Sequence, residues 1–366
     1  MTDNNKQASN VTMSEGGLYS LATKGAKDVI DIATAQVLEA LESLPSIDDR
    51  FTLADMGCAD AGTSLDMVGS VLQRAHELNP DVQSTVVYAD QTGNDFNALV
   101  QIVHGQTQFD SWMGKVPNAY PVTSGSSFYL QAVPDGTLDM AFSATAMHWL
   151  SEKPCNISNH VHMVGASGSE YQAFADQGQK DWQRILMCRA NELKNGGKMV
   201  LVNFCRDEQG HYLGHTGGVN MFDTFNEIWQ HFQLDGRITS SEYESMTLPQ
   251  YYHTVEEFSA PLIDQDNPVH QAGLRLESIK TAIVRCPFAL EFEQDGDLQK
   301  FADGLIPTVR SWNQSIFKAG LSNDRTEQEK STLIEDYYGS YHQRVMDNPS
   351  GHGMDYVHAY MTITKV

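Results

Sequence analysis

Leu53-Ala-Asp-Met-Gly-Cys-Ala-Asp-Ala-Gly-Thr-Ser64 decides the fold, together with Val87-Tyr-Ala-Asp-Gln-Thr-Gly-Asn-Asp-Phe-Asn97 about 35 residues later. Each stretch carries an aspartate, Asp55 or Asp90, where an apolar run gives way to a loop. After Asp55 come glycines and then helix-like spacing. An open α/β sheet holds a nucleoside at the carboxyl ends of its strands in this way. Gly57 removes a side chain where backbone must approach a ligand. Asp90 stands where a carboxylate accepts hydrogen bonds from ribose hydroxyls, so the pair points to an adenosine-type cofactor. The dinucleotide pattern Gly-x-Gly-x-x-Gly is absent, as is a Gly-Lys-Ser/Thr phosphate loop. That lowers the case for nicotinamide and nucleoside triphosphate cofactors.

Working outward, Val29 to Leu44 has helical spacing and Phe51 to Met56 reads as the first strand. A helix over 64–78 stops before Pro80. Ser84 to Ala89 is the second strand, and 95–104 is helical. Residues 120–133 hold a short strand, and Leu138 to Ser143 is another. The segment Lys180 to Leu193 predicts an amphipathic helix stopped by Asn195-Gly-Gly197, followed by an apolar strand over Met199 to Cys205. Gly273 to Val284 and Tyr356 to Lys365 read as returning strands. The fold class is α/β: a Rossmann-like, mostly parallel sheet whose last strand is antiparallel, with a helical cap inserted in two pieces. The expected division is a disordered tail at 1–15, a cofactor-binding core at 16–206, a first cap segment at 207–265, a core strand at 266–287, a second cap segment at 288–345 and a final strand at 346–366.

The chain has 366 residues, 41% of them apolar, and a formal net charge of −23. An acidic surface repels phosphate backbones, which argues against a nucleic-acid partner. No apolar run is long enough to span a membrane. The polar N-terminus lacks the apolar centre of a secretory signal. The five cysteines are scattered, which suits reduced thiols in the cytoplasm and no structural zinc site.

The motifs add a resemblance. Gly93-Asn-Asp-Phe-Asn97, Ser126-Ser-Phe-Tyr129, Met147-His-Trp-Leu-Ser151 with Pro154, the Arg189-to-Leu201 run and Pro249-Gln-Tyr251 resemble, in order, segments of the SABATH methyltransferases. That family includes the salicylate, jasmonate and caffeine methyltransferases. The resemblance implies S-adenosyl-L-methionine as cofactor and S-adenosyl-L-homocysteine as product. It implies a cofactor pocket of Ser20, Asp55, Gly57, Asp90, Gln91, Ser127, Phe128 and Ser143. Asp55 would lie near the amino-acid end, Asp90 at the ribose, and Ser127 and Phe128 around the adenine.

For the acceptor it implies Trp149, whose indole N–H suits an anion, with His148 beside it. Tyr19, Lys24, Phe222 and Trp229 complete the expected acceptor site, and Phe317 is a further candidate. No acid–base residue is expected, because a carboxylate is already ionised near neutral pH. The family's carboxylate-binding glutamine falls, without gaps, on Asp28 in Ser20-Leu-Ala-Thr-Lys-Gly-Ala-Lys-Asp28, which would repel an anion. Lys24 or Lys27 would then supply the counter-charge. The family tyrosine that follows the paired serines corresponds to Thr145. Glu244-Ser-Met-Thr247 does not reproduce the cap metal ligands of some members, so no metal is expected.

The reading is therefore a small-molecule carboxyl methyltransferase. Methylation of a nitrogen or another oxygen is the alternative, and a non-catalytic cofactor-binding protein a remoter one. The resemblance suggests a homodimer by analogy.

Overall fold

A computed structural model describes residue 20 and residues 23–366. The tail at 1–15 and Tyr19 lie outside the described residues. The strands are β1 (Arg50–Met56), β2 (Gln83–Asp90), β3 (Ala119–Gly125), β4 (Leu138–Ala144), β5 (Leu193–Phe204), β6 (Leu274–Val284) and β7 (Tyr356–Lys365). The helices are α1 (Lys24–Glu42), α2 (Leu65–Leu78), α3 (Phe96–Val103), α4 (Gly168–Glu192), α5 (Met221–Leu234), α6 (Ser240–Ser245), α7 (Val255–Ile263), α8 (Pro268–Gln271), α9 (Pro287–Asp295), α10 (Leu298–Ala319) and α11 (Glu327–Asp347).

The strands form one seven-stranded sheet in the order β3-β2-β1-β4-β5-β7-β6. Neighbours from β3 to β5 are parallel, and β7 runs antiparallel to both β5 and β6. The order reverses beside β1, which makes a crevice at the carboxyl ends of β1 and β4.

Strand residues alternate between two buried faces. Phe51, Leu53, Tyr88, Met140, Phe142, Val200 and Val202 join one core with α1 and α2. Ala54, Met56, Val87, Ala89, Ala141, Met199 and Leu201 join another that includes Trp182, Ile185 and Leu186 of α4. Burial on both faces explains why the central strands read as almost continuous apolar runs. Helix α1 buries Val29, Ile30, Ala33, Val37 and Leu41, a stripe at three- and four-residue steps.

Two boundaries differ from the sequence reading. Helix α4 begins at Gly168, well before Lys180, because its first turns are polar and bury little besides Phe174, Gln177 and Gly178. Asn195-Gly-Gly197 lies inside β5, next to an irregularity in its pairing with β4, rather than in a loop that ends the helix.

The first insertion, between β5 and β6, is not uniform. Helix α5 packs with α10 and α11 through aromatic side chains, and Glu242 of α6 pairs with Arg325, between α10 and α11. Phe258 and Leu262 of α7 and Val269 of α8 instead join the sheet core beside α4. Among the described residues no helix is long and apolar enough to cross a membrane.

Candidate functional site

The two strand-end aspartates face the same side of the sheet. Asp55 pairs in register with Tyr88, and Asp90 follows two residues later on that face. Beyond the strand ends lies a cavity of about 360 Å³ lined by both carboxylates, a size suited to small molecules. Backbone strain shapes its floor. Gly57, Ala59 and Ala61 after β1, and Thr145 after β4, all have positive φ. Such a conformation is costly for residues with a Cβ and clusters at functional sites. At Gly57 an added Cβ would lie 2.5 Å from Ala146 Cβ.

Asp90 is fixed by its neighbours. Ala59 N–H donates to Oδ2 at 2.8 Å and Gln91 N–H to Oδ1 at 2.7 Å. Burial pushes its carboxyl above the ordinary range, and these two backbone donors oppose the shift. Each oxygen keeps lone pairs for a ligand hydroxyl. Asp55 is more deeply buried. Burial raises it to about 7, the charge of Asp90 adds to that, and the Ser64 hydroxyl, donating at 2.6 Å, opposes it. Ser64 is the N-cap residue of α2 but makes no side-chain capping bond there; its hydroxyl goes to Asp55 instead. Asn94 Nδ2 donates to Ala59 O at 2.8 Å and steadies the same loop.

The wall formed by Ser127, Phe128 and Tyr129 is pinned from below. Arg189 donates to Phe128 O and Leu130 O at 2.9 Å each and pairs with Glu192, both side chains fully buried. Glu192 also accepts from Ala132 N. Asp181, also on α4, accepts from Ser151 N at 2.8 Å and Ser151 Oγ at 2.7 Å, which holds the segment carrying His148 and Trp149.

The cavity continues into an apolar lobe lined by Trp149, Phe204, Leu213, Trp312, Met354 and Tyr356. The rings of Trp149 and Trp312 meet edge-on at 6.4 Å. His148 packs edge-on against Phe204 at 4.8 Å, and burial lowers its pKa to about 3, so it is neutral. No lysine or arginine lies among the described lining residues.

Of the residues expected from the sequence, Asp55, Gly57, Asp90, Gln91, Ser127, Phe128, His148 and Trp149 line this cavity. Others lie elsewhere. Ser143 is buried and donates to Met56 O at 2.7 Å, tying β4 to β1. Ser20 is outside the lining and bonds to Asp60, which does line it. Lys24 is spent on Glu291 at 2.7 Å, and Lys27 on Asp31 and Asp66. Neither supplies a counter-charge, and Asp28 is also absent from the lining. Phe222 is fully buried and stacks on His162 at 3.9 Å. Trp229 and Phe317 are fully buried in the cap, packing on each other at 5.4 Å. The helical aromatic stripe is cap core.

The sequence reading missed Asp60, Gln250, Trp312, Met354 and Tyr356. Asp60 sits in the quoted glycine loop and was open to discovery there. Gln250 sits in the quoted Pro249-Gln-Tyr251 segment, and Trp312, Met354 and Tyr356 come from the second insertion or just after it, where no local pattern marks a residue for the pocket.

The sequence matches, over residues 18–281, the family described as SAM dependent carboxyl methyltransferase. It is similar to loganic acid O-methyltransferase of Catharanthus roseus, 27% identical over 271 residues, or 65% of this chain and 67% of the relative. Indole-3-acetate O-methyltransferase 1 of Oryza sativa subsp. japonica is 27% identical over 252 residues, covering 61% and 62%. Salicylate carboxymethyltransferase of Clarkia breweri is 26% identical over 271 residues, covering 68% and 70%. The matched stretches thus span 62–70% of these relatives. The fold is also that of a solved loganic acid methyltransferase with SAH, with a TM-score of 0.70 at 18% identity over 97% of this chain and 98% of that one.

Proposed function

The chain belongs to the S-adenosylmethionine-dependent carboxyl methyltransferases, and from that premise we propose that it esterifies a small carboxylic acid with a flat, apolar body. One observation carries the reading: a single cavity joins the Asp55–Asp90 floor to an aromatic lobe whose rim holds Trp149 and no fixed cation among the described residues.

The residues present fit the cofactor. Asp90, immobilised by Ala59 and Gln91, has free lone pairs for a ribose diol. Asp55, once ionised, suits the ammonium of an amino-acid end. Gly57 leaves the backbone bare where a side chain would collide. Ser127 and Phe128 offer a wall for a planar base. When bound, S-adenosylmethionine supplies an activated methyl group on a sulfonium sulfur.

The protein's role is then alignment and exclusion of water. Trp149 donates its indole N–H to the acceptor carboxylate. Trp312 and Phe204 sandwich the acceptor's apolar body. No base is required, since a carboxylic acid is ionised at neutral pH. Methylation of a hydroxyl or of an acidic ring N–H would need a base or a water path to take the proton. His148, held neutral with a pKa of about 3, is a weak base, and Asp28 does not line the cavity.

The five free cysteines and the net charge of −23 support a cytoplasmic protein without nucleic-acid or membrane partners. A homodimer is the assembly suggested by family analogy. The division into a core and a cap inserted in two pieces is the working domain scheme.

The test is release of S-adenosylhomocysteine by purified protein given S-adenosylmethionine and a panel of aromatic and aliphatic monocarboxylic acids. Release that depends on the acid, and is strongest for flat apolar acids, is the expected result. Silence across the panel, with cofactor binding intact by calorimetry, would overturn the reading.

A further inference from the structure

The carboxylate the proposed reaction needs has Trp149 as one donor, and a two-oxygen anion calls for a second. Lys24 and Lys27 are paired elsewhere, and the lining holds no cation among the described residues. The backbone brings another candidate to the same place. Trp149 and Gln250 face each other in an isolated antiparallel bridge, flanked by Leu150 N–H to Pro249 O at 2.8 Å and Tyr251 N–H to His148 O at 2.9 Å. Directly opposed residues in such a bridge project their side chains from the same face, with Cβ atoms about 5 Å apart. Both residues line the cavity.

The amide of Gln250 has a fixed orientation. Its Oε1 accepts from His162 Nε2 and from the Tyr252 hydroxyl, each at 3.1 Å. His162 Nδ1 takes the Val164 N–H at 3.3 Å, so the ring proton sits on Nε2 and points at Gln250. His162 is fully buried and stacked on Phe222, which locks the ring. With the oxygen engaged twice, the NH₂ group is left over. Gln250 is fully buried, and its Nε2 has no partner among the described residues. A buried donor without an acceptor is destabilising, and native proteins rarely keep one without a use.

We propose that Gln250 is the second donor to the acceptor carboxylate, its amide N–H and the Trp149 indole N–H gripping the anion between them. This rests on the carboxylate reading above. A grip made only of neutral donors, above an acidic floor, selects a monoanion on an apolar body. It disfavours dicarboxylates and phosphates, which need fixed cations for their extra charge.

The experiment compares wild type with Gln250→Glu and Gln250→Leu, using the best monocarboxylic acid from the panel. Wild-type turnover of that acid comes first, since its absence removes the carboxylate reading and this proposal with it. Given turnover, Gln250→Glu keeps an oxygen for His162 and Tyr252 and replaces only the NH₂. At pH 8 its KM for the acid should rise at least tenfold while cofactor affinity stays within twofold. Lowering the pH to 6 should recover much of that loss, because a protonated glutamic acid regains a donor. Gln250→Leu should show the same KM increase with no recovery, and cofactor titration identifies which variants are folded. A KM within twofold of wild type in either variant that binds cofactor, or a recovery of the acid's KM at pH 6 shared by both variants at saturating cofactor, would overturn the proposal.

Discussion

Asp55 and Asp90 are chemically similar strand-end carboxylates in different surroundings, and their difference is testable. Burial first, then the charge of Asp90, raises Asp55 to about 7 against the bond from Ser64. Between 3.8 and about 7 the folded protein keeps a proton that the unfolded chain has released. Asp55 therefore lowers the stability of the ligand-free protein as pH rises through that window. A bound ammonium reverses the preference and favours the ionised form. Cofactor affinity should thus strengthen as pH rises from 6 to 8, with proton release on binding near pH 6.5. Calorimetry in buffers of different ionisation heat reads both. Asp55→Asn should abolish the pH dependence, and a flat wild-type profile would contradict the assignment. Replacing Asp90 with Ala should weaken cofactor binding by about 1–3 kcal/mol, for a lost charged hydrogen-bond partner. Unchanged affinity in titration calorimetry would remove Asp90 from the site. Both aspartates are legible in the sequence because a strand end next to a glycine loop is a local pattern. Gln250 is not, because its use depends on a bridge to Trp149 across about a hundred residues.

At the scale of elements, α4 ends in a device that reaches the pocket wall. Arg189 and Glu192 are buried together and hold Phe128, Leu130 and Ala132 by their backbones. Removing one partner leaves a buried charge uncompensated, typically a loss of about 3–5 kcal/mol. Arg189→Met should lower the melting temperature markedly and weaken cofactor binding, since the 126–132 loop loses its anchor. Equal melting curves would show the pair to be dispensable. The sequence marks this run by its Arg-Ala-x-Glu pattern, and only the packing reveals that it props a loop about 60 residues earlier. The strands are readable because both sheet faces are buried, which leaves long apolar runs. The first half of α4 is not, since a polar surface helix carries little periodic signal. The Phe222–Trp229 stripe reads as candidate pocket lining, yet a helix packed in a cap core shows the same spacing. Spacing alone cannot say which apolar surface a stripe meets.

The whole molecule carries a net charge of −23, and an anionic acceptor must approach against that field. Screening should therefore help. The kcat/KM for a carboxylic acid should rise several-fold as ionic strength increases from about 0.02 to 0.2 M, where the Debye length shrinks to below about 10 Å. A zwitterionic or neutral probe should show little change, and a fall in kcat/KM with salt would point to a local cationic entry path instead. The acidic composition is plain in the sequence. The lack of a cation among the described pocket residues is not, because Lys24 and Lys27 stand close to the pocket residues in sequence, and only the fold reveals their partners Glu291, Asp31 and Asp66. The most direct test of ester formation is to transfer a labelled methyl group from S-adenosylmethionine to the preferred acid and treat the product with mild base. A label released as methanol, with the acid regenerated, is the expected result. A labelled product stable to base would place the methyl group on nitrogen or a non-carboxyl oxygen and contradict the proposed reaction.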